Sequence, residues 1–261
     1  MKKVLVSGCN GKMGQILCRL IGTDSELKLS PCGVDTNSTV SIGDRRAWPE
    51  QYSVVNLIER IPSYFMLEQV DVIIDFSSPS ALPGLINTAL SYEKPLVIAT
   101  TGLSDAMFTM IEAASEEVPI FYSANMSTEI YVLQRILEVA VPMLKGSDIE
   151  ISEEHHNRKA DSPSGTAKML ANTINKILNN EKEIVYGRQG KRQPNEIGIS
   201  AIRGGNVCGV HTVHFFGEND TLEIKHTAYS RDVFAEGAIR AAKFLLEEGR
   251  EPGLYSMHDL F

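Results

Sequence analysis

Short apolar runs alternate with helical patterns through the first half of the chain. Val4-Leu5-Val6 reads as a buried strand, and Met13, Ile16, Leu17, Leu20 and Ile21 then recur at helical spacing. A second strand ends at Gly33-Val34-Asp35. The apolar segments Val70 to Phe76, Pro95 to Thr101 and Val118 to Ala124 follow, each beside a helix-like stretch. Strands alternating with helices predict βαβ units, because parallel neighbours need crossover connections. This half therefore predicts a Rossmann-like, doubly wound parallel sheet.

Beyond about residue 126 the pattern changes. Ile130, Leu133, Leu137, Val141 and Leu144 share one face of a helix. Ile149 to Ile151, Ile197 to Ile202, Val210 to Phe216 and Leu222 to Lys225 then alternate apolar and polar with period two. Strands with one apolar and one polar face predict an open mixed sheet covered on one side. A last helix carrying Val233, Ala238, Ile239, Ala242, Phe244 and Leu245 is expected to pack back on the first domain. The predicted fold class is α/β: residues 1–126, joined again by 231–261, form the doubly wound domain. Residues 127–230 form a smaller α/β domain with an open mixed sheet. There are no internal repeats and no low-complexity segments.

Composition narrows the partners more than the fold. A chain of 261 residues, 43% hydrophobic, buries a large core without disulfides or structural metal. A net charge of −8 and a pI near 5.3 argue against a nucleic-acid surface, whose footprint is basic. The one basic run, Arg188 to Arg192 (RQGKR), is expected to be a solvated loop. Cys9, Cys18, Cys32 and Cys208 show no C-x-x-C spacing, which fits reduced thiols in a cytosolic compartment. No apolar stretch approaches about 18 residues, and the N-terminus begins a strand, not a signal segment. A cytoplasmic, soluble protein with no membrane partner is expected.

SGCNGKMG, between the first strand and first helix, places glycines at 8, 11 and 14, with Asn10 where the usual G-x-G-x-x-G has its second glycine. Glycine there permits a tight turn, close approach of backbone to a pyrophosphate, and helix-to-strand packing. The helix N-terminus then offers N–H groups and partial positive charge to phosphates. Asp35 ends the next strand about twenty residues on, where an acidic side chain accepts hydrogen bonds from a ribose. These features point to a dinucleotide-binding first domain; a tight turn with no ligand and a capping Asp35 is the alternative that the pattern leaves open. Asp35 favours NADH over NADPH, because a carboxylate repels a 2′-phosphate and Thr36, Asn37 and Ser38 supply no cation. Arg45 and Arg46 lie close enough in sequence to keep NADPH open.

The densest chemistry lies in EEHHNRKADSPSGTA, residues 153–167. In an extended segment His155 and His156 point to opposite sides. A zinc site needs further ligands at suitable spacing, and no other His or Cys lies near in sequence, so no metal is expected. Asp161 or Ser162 is expected to cap a helix with Pro163 at its first position and Ser164, Gly165 and Thr166 in its first turn. Ala167, Leu170, Ile174, Ile177 and Leu178 form that helix's apolar face. The N–H groups of Gly165 and Thr166, with the Thr166 hydroxyl, suit one carboxylate, and His156 suits a second. His155 and Lys159 are then candidates for general acid catalysis. A solvated polar loop before an N-capped helix is the alternative that the pattern leaves open.

These segments, together with ATTG at 99–102, SANMS at 123–127 and RGGNVCGVHTV at 203–213, resemble the 4-hydroxy-tetrahydrodipicolinate reductase (dihydrodipicolinate reductase) family in order over nearly the whole chain. The resemblance implies NADH- or NADPH-dependent reduction of a cyclic imine dicarboxylate, with loss of water, in lysine biosynthesis through diaminopimelate. It implies that His155 exchanges a proton, that Lys159 is a second proton donor, and that His156, Gly165 and Thr166 bind substrate carboxylate. Cofactor contacts are implied at Gly8, Cys9, Asn10, Gly11, Lys12, Met13 and Asp35. They are implied also at Ala99, Thr100, Thr101 and Gly102, and at Ser123, Ala124, Asn125 and Met126. The second domain would bind substrate and assemble a homotetramer.

Three positions depart from the family pattern. Ala99 replaces a glycine, and Glu129 and Tyr131 stand where Gly and Asn are usual. Two other functions remain in view. Another NAD-dependent amino- or imino-acid dehydrogenase is one, against which the pairing of H-H-x-x-K with P-S-G-T argues. A non-catalytic NADH-sensing paralogue is the other, and it would need neither His155 nor Lys159.

Overall fold

The computed structural model describes residues 1–35, 53–56 and 70–261. They divide into two compact units, Met1–Met126 with Asp232–Phe261, and Ser127–Arg231. Thr36, Asn37, Ser38, Arg45 and Arg46 lie outside the described residues.

The first unit opens with β1 (Lys2–Ser7), α1 (Lys12–Ile21), β2 (Leu27–Leu29), β3 (Cys32–Asp35) and β4 (Ser53–Asn56). β5 (Val72–Asp75), α2 (Leu82–Ser91), β6 (Leu96–Ile98), α3 (Asp105–Ser115) and β7 (Pro119–Tyr122) follow. After the second unit the chain adds α6 (Asp232–Leu245) and β13 (Gly253–Tyr255). The described strands run in the order β13-β7-β6-β5-β1-β3-β4, with β2 also beside β1, and every pairing is parallel. All four residues of β5 are buried. This is why that strand reads as an unbroken apolar run, since a parallel sheet is covered on both faces. Two short strands stand where the sequence marks one before Asp35. Pro31, with no N–H to give, separates them.

Small residues bring α6 close to the sheet. It buries Ala235, Gly237, Ala238, Ala241 and Ala242, and a Cβ on Gly237 would lie 1.7 Å from the Met126 carbonyl oxygen. Phe244 completes the contact edge-to-face with Phe121 and Tyr255.

The second unit contains α4 (Thr128–Met143), β8 (Asp148–His155), α5 (Gly165–Ile177), β9 (Glu183–Tyr186), β10 (Glu196–Arg203), β11 (Gly209–Phe216) and β12 (Thr221–Ala228). Its sheet runs β12-β11-β8-β10-β9 and is mixed: β8, β9 and β10 are parallel, while β11 is antiparallel to both its neighbours. One core joins Leu133, Leu137 and Val141 of α4 to Leu170 and Ile174 of α5 and to Ile149, Ile151, Ile199 and Phe215 of the sheet. Burying each such side chain contributes about 1.5–3 kcal/mol. The period of two on β8 has a direct consequence. If Ile149 and Ile151 face the core, Glu153 and His155 face the same way.

The basic run departs from the solvated loop that the sequence suggests. Arg188 pairs with Glu150 at 2.6 Å and Glu196 at 2.8 Å, while Arg192 pairs with Asp148 at 2.6 Å. These arginines clamp the loop to strands β8 and β10. Local composition reports charge but not which carboxylates the register brings opposite. Among the described residues no helix is long and apolar enough to cross a membrane.

Candidate active site

Glu153 is the centre of the second unit's polar cluster. Its side chain is wholly inaccessible, and it accepts four hydrogen bonds. Arg203 donates Nη1 to Oε2 at 2.8 Å and Nη2 to Oε1 at 2.7 Å, a two-pronged ion pair. His155 Nδ1 lies 2.5 Å from Oε2, and the backbone N–H of Ser164 reaches Oε1 at 2.9 Å. Sheet register explains the gathering: Arg203 is opposite His155 across β10 and β8, and His211 is opposite Glu153 across β11 and β8. The His155 and His211 rings meet edge-to-face with centroids 5.2 Å apart.

Ser164, not Asp161 or Ser162, caps α5. Its backbone is extended, and its hydroxyl accepts from Ala167 N at 3.2 Å, so Pro163 precedes the helix. Glu153 anchors that residue by taking the Ser164 N–H, for which the helix has no acceptor, while the Ser164 carbonyl begins the ladder by accepting from Lys168 N. Gly165 and Thr166 are thus the first two helical residues. Lys159 Nζ pairs with Asp161 Oδ1 at 2.9 Å, and the Asp161 carbonyl accepts from Arg203 Nη2 at 2.9 Å. His156 meets the Arg158 N–H at Nδ1 (3.2 Å) and Arg231 Nη2 at Nε2 (3.1 Å).

The charges shift one another. Burial opposes ionisation of Glu153, but hydrogen bonds from Arg203, His155 and Ser164 outweigh it and hold the carboxyl below its ordinary value. Burial pushes His155 down; Glu153 pulls it back, and the Lys159 and Arg203 charges add to the lowering. His156 is also lowered, by desolvation first and then by Arg158 and Arg231. Burial and the neighbouring His155 push His211 down to about 3. Among the described residues no group of three or more His, Cys, Asp or Glu is arranged to hold a metal.

In the first unit the loop after β1 is shaped for an anion. Gly8 has φ +77°, and a Cβ there would lie 2.4 Å from the Phe76 carbonyl oxygen. A Cβ on Gly14 would lie 2.1 Å from the Gly8 oxygen. Gly11 caps α1 without a side-chain hydrogen bond, so first-turn N–H groups face the loop. Asp35 Oδ2 accepts from Asn10 N at 2.9 Å. Gly8, Asn10, Gly11, Asp35 and Ser77 line a cleft of about 340 Å³ at the carboxyl ends of β1, β3 and β5, where α/β sheets bind ligands. Cys9 is fully buried, whereas Lys12 is exposed and Met13 half-buried.

Two further turns end strands of the same sheet. Thr100 is buried and donates to Asp75 Oδ2 at 2.6 Å, and its neighbour Ala99 is also buried; Thr101 and Gly102 are exposed. The Ser123 hydroxyl donates to the Asn125 carbonyl at 2.6 Å, with Ala124 exposed and Met126 buried. Asp75 itself is wholly buried and pushed up by that burial, although Ser77 and Thr100 hydrogen bonds oppose the shift.

Family models described as dihydrodipicolinate reductase, N-terminus and C-terminus, match residues 2–126 and 129–261. The chain belongs to the dihydrodipicolinate reductase family. The 4-hydroxy-tetrahydrodipicolinate reductase of Caldanaerobacter subterraneus subsp. tengcongensis is 45% identical over 100% of this chain and 98% of its own length. That of Clostridium tetani is 43% identical over 98% and 96%. Among solved structures, dipicolinate-bound dihydrodipicolinate reductase from Paenisporosarcina sp. TG-14 is 22% identical, covers 98% of this chain and 97% of its own, and has a TM-score of 0.75, a likeness of fold.

Set within the dihydrodipicolinate reductase family, the geometry adds residues that sequence reasoning passed over. Glu153, Ser164, His211 and Arg231 touch His155, His156 or the start of α5, and Arg203 grips Glu153 and the Asp161 carbonyl. Glu153 had a signal, since it precedes His155 by two on a strand. Ser164 stands in the same segment, and Arg203 and His211 lie in the RGGNVCGVHTV motif, but nothing in the sequence says that they meet Glu153; Arg231 carried no signal. Of the departures from the family pattern, Glu129 sits in the first turn of α4 and accepts from the Ser127 hydroxyl at 3.2 Å, a favourable place for a carboxylate. Tyr131 lines a surface groove with Gln134 and Thr173.

Proposed function

We propose that this chain catalyses the reduction of 4-hydroxy-tetrahydrodipicolinate to tetrahydrodipicolinate, with loss of water, in lysine biosynthesis through diaminopimelate. The observation that carries the reading is the gathering of His155, the Lys159–Asp161 turn and the N-terminus of α5 around Glu153 and Arg203. A dicarboxylate that gains a proton as it is reduced needs those parts: an anion-binding helix terminus, a fixed cation and a positioned acid.

The glycine cradle, the uncapped start of α1 and Asp35 fit a dinucleotide. Gly8, Asn10, Gly11 and first-turn N–H groups would hold its phosphates and Asp35 its ribose. When bound, a reduced nicotinamide supplies the hydride. Cys9, Lys12 and Met13 complete that loop, and the turns Ala99 to Gly102 and Ser123 to Met126 would flank the nicotinamide end. The Asp35 carboxylate favours NADH, since it repels a 2′-phosphate.

In the second unit, Gly165 and Thr166 would hold one substrate carboxylate, and His156 with Arg231 the other. The Lys159 ammonium stabilises negative charge that develops on the ring. His155 delivers the proton, and the fall in its own charge leaves it neutral beside the Glu153 carboxylate. A homotetramer is the assembly this reading implies; exposed Ile202 and Phe216 on the sheet support association of further copies.

The test is a coupled assay in which a dihydrodipicolinate synthase makes the substrate from pyruvate and aspartate semialdehyde, with the loss of reduced nicotinamide absorbance followed. Turnover that depends on both precursors is expected with NADH. No turnover with either cofactor, in folded protein that binds NADH, overturns the proposal.

A further inference from the structure

His155 has two ring nitrogens, and the structure gives them different surroundings. Nδ1 points at Glu153 Oε2, 2.5 Å away. Nε2 faces Gly209, where an added Cβ would lie 3.1 Å from it, so the missing side chain leaves that nitrogen room. Glu153 is not a neighbour of His155 alone. Its Oε1 takes the Ser164 N–H, the residue before Gly165, and both its oxygens are gripped by Arg203. One buried carboxylate therefore holds a proton-exchanging ring and the N-terminus of α5 in a single rigid arrangement.

We propose that Glu153 is a positioning residue that fixes His155 in the Nδ1–H form, reserves Nε2 for proton transfer, and locks that ring in register with the carboxylate-binding start of α5. The inference rests on the reductase reading above. During turnover the Nε2–H bond breaks, the electron pair at the substrate's ring carbon forms the new C–H bond, and His155 becomes neutral with Nδ1–H still donated to Glu153. A carboxylate accepts at both oxygens, which is what four donors require. Glutamine in its place has one accepting oxygen. Arg203 Nη2 and Ser164 N both call for that oxygen at the Oε1 position, which turns the amide NH₂ towards His155. A donor there forces the opposite tautomer, with the proton on Nε2 and no proton on Nδ1.

The charged and titratable groups round His155 come from three strands and a loop: Glu153 on its own strand, Arg203 on β10, His211 on β11, and Lys159. Of these Glu153 alone favours the imidazolium, so its neutralisation makes His155 easier to deprotonate. An acid must be protonated to act, and the high-pH fall in kcat should therefore begin at lower pH in Glu153→Gln.

The decisive measurement needs no activity. Nitrogen-15 shifts of the ring nitrogens, with the His155 signals identified by their loss in His155→Asn, should show neutral His155 protonated at Nδ1 in the wild type and at Nε2 in Glu153→Gln. In the coupled assay Glu153→Gln should lower kcat by about 100-fold, with KM for the substrate changed far less, and Glu153→Asp should recover part of the loss. The same Gln substitution in His155→Asn should cost little more, since its effect runs through the ring. Wild-type His155 protonated at Nε2 overturns the inference even if Glu153→Gln fails to fold. So does a Glu153→Gln enzyme with unchanged kcat. A wild type that shows the Nδ1–H tautomer yet reduces nothing overturns the reductase reading and leaves the geometry standing.

Discussion

Ser164 Oγ and His211 Nε2 lie 3.1 Å apart, so the cap of α5 is bonded to the middle of β11 as well as to Glu153. His211 is 4% exposed, and burial holds it to about 3. Its folded value is thus depressed below the unfolded value of about 6.5. The stability gained by keeping it neutral is fully present above about pH 6.5 and is lost as the pH falls from there towards 3. Between about pH 7.5 and 5 the wild type should lose about 2 kcal/mol more than His211→Gln. Denaturant titrations at the two pH values measure this, and parallel losses in the two proteins would contradict it.

Lys159 and His155 carry different parts of the proposed chemistry, and each should matter to kcat. Lys159→Ala and His155→Gln should each lower kcat by about 100- to 1000-fold while NADH binding is retained. Steady-state rates paired with fluorescence titration of NADH separate the two effects. Full activity in either variant would remove that residue from the reaction.

Gly209 guards the open side of the His155 ring. A methyl group there would sit 3.1 Å from Nε2, a tight contact that the ring must relieve by a small shift. Gly209→Ala should shift the ring slightly and lower kcat roughly 10-fold, with little change in thermal midpoint, since a full misplacement of about 1 Å costs about 100-fold. An unchanged kcat would show that the space beside Nε2 does not limit the reaction.

Asp35 reaches back to the glycine loop by accepting the Asn10 N–H at 2.9 Å. Asp35→Asn keeps the side chain's size but loses its charge, so it should raise KM for NADH about 10-fold and improve NADPH relative to NADH. The ratio of kcat/KM for the two cofactors is the readout. An unaltered ratio would show that selection lies elsewhere.

Gly14 lets α1 start against the loop. With a Cβ placed 2.1 Å from the Gly8 oxygen and 2.6 Å from Cys9 Cα, Gly14→Ala must push the helix off the loop. Overpacking of this kind costs about 1–3 kcal/mol. A lower thermal midpoint and weaker NADH binding should appear together, and retention of both would refute the cradle.

The part of this molecule that its sequence makes legible is the part governed by neighbours in the chain. Val4 to Val6, the glycines at 8, 11 and 14, and the spacing of Leu133, Leu137 and Val141 each report local geometry, and β1, α1 and α4 formed there. The α5 cap was misplaced by two residues or more, because Asp161, Ser162 and Ser164 all carry capping oxygens. The choice among them was made by Glu153, which takes the Ser164 N–H. The RQGKR run was likewise legible as charge and illegible as structure, since Glu150 and Glu196 lie on two strands that the loop must meet.

By itself the sequence determined the two kinds of sheet, the glycine loop, and the stretch in which His155 and Lys159 stand together. A period of two even states which face of β8 carries Glu153 and His155. It does not state what lies opposite. Arg203, His211 and Ser164 reach Glu153 from separate points in the chain, and strand register together with the docking of α5 brings them there. Tertiary structure alone decided that a buried carboxylate has four donors. Hydrophobic patterning encodes the direction of a side chain, whereas a hydrogen-bond partner depends on atoms that only packing sets within 3 Å of one another.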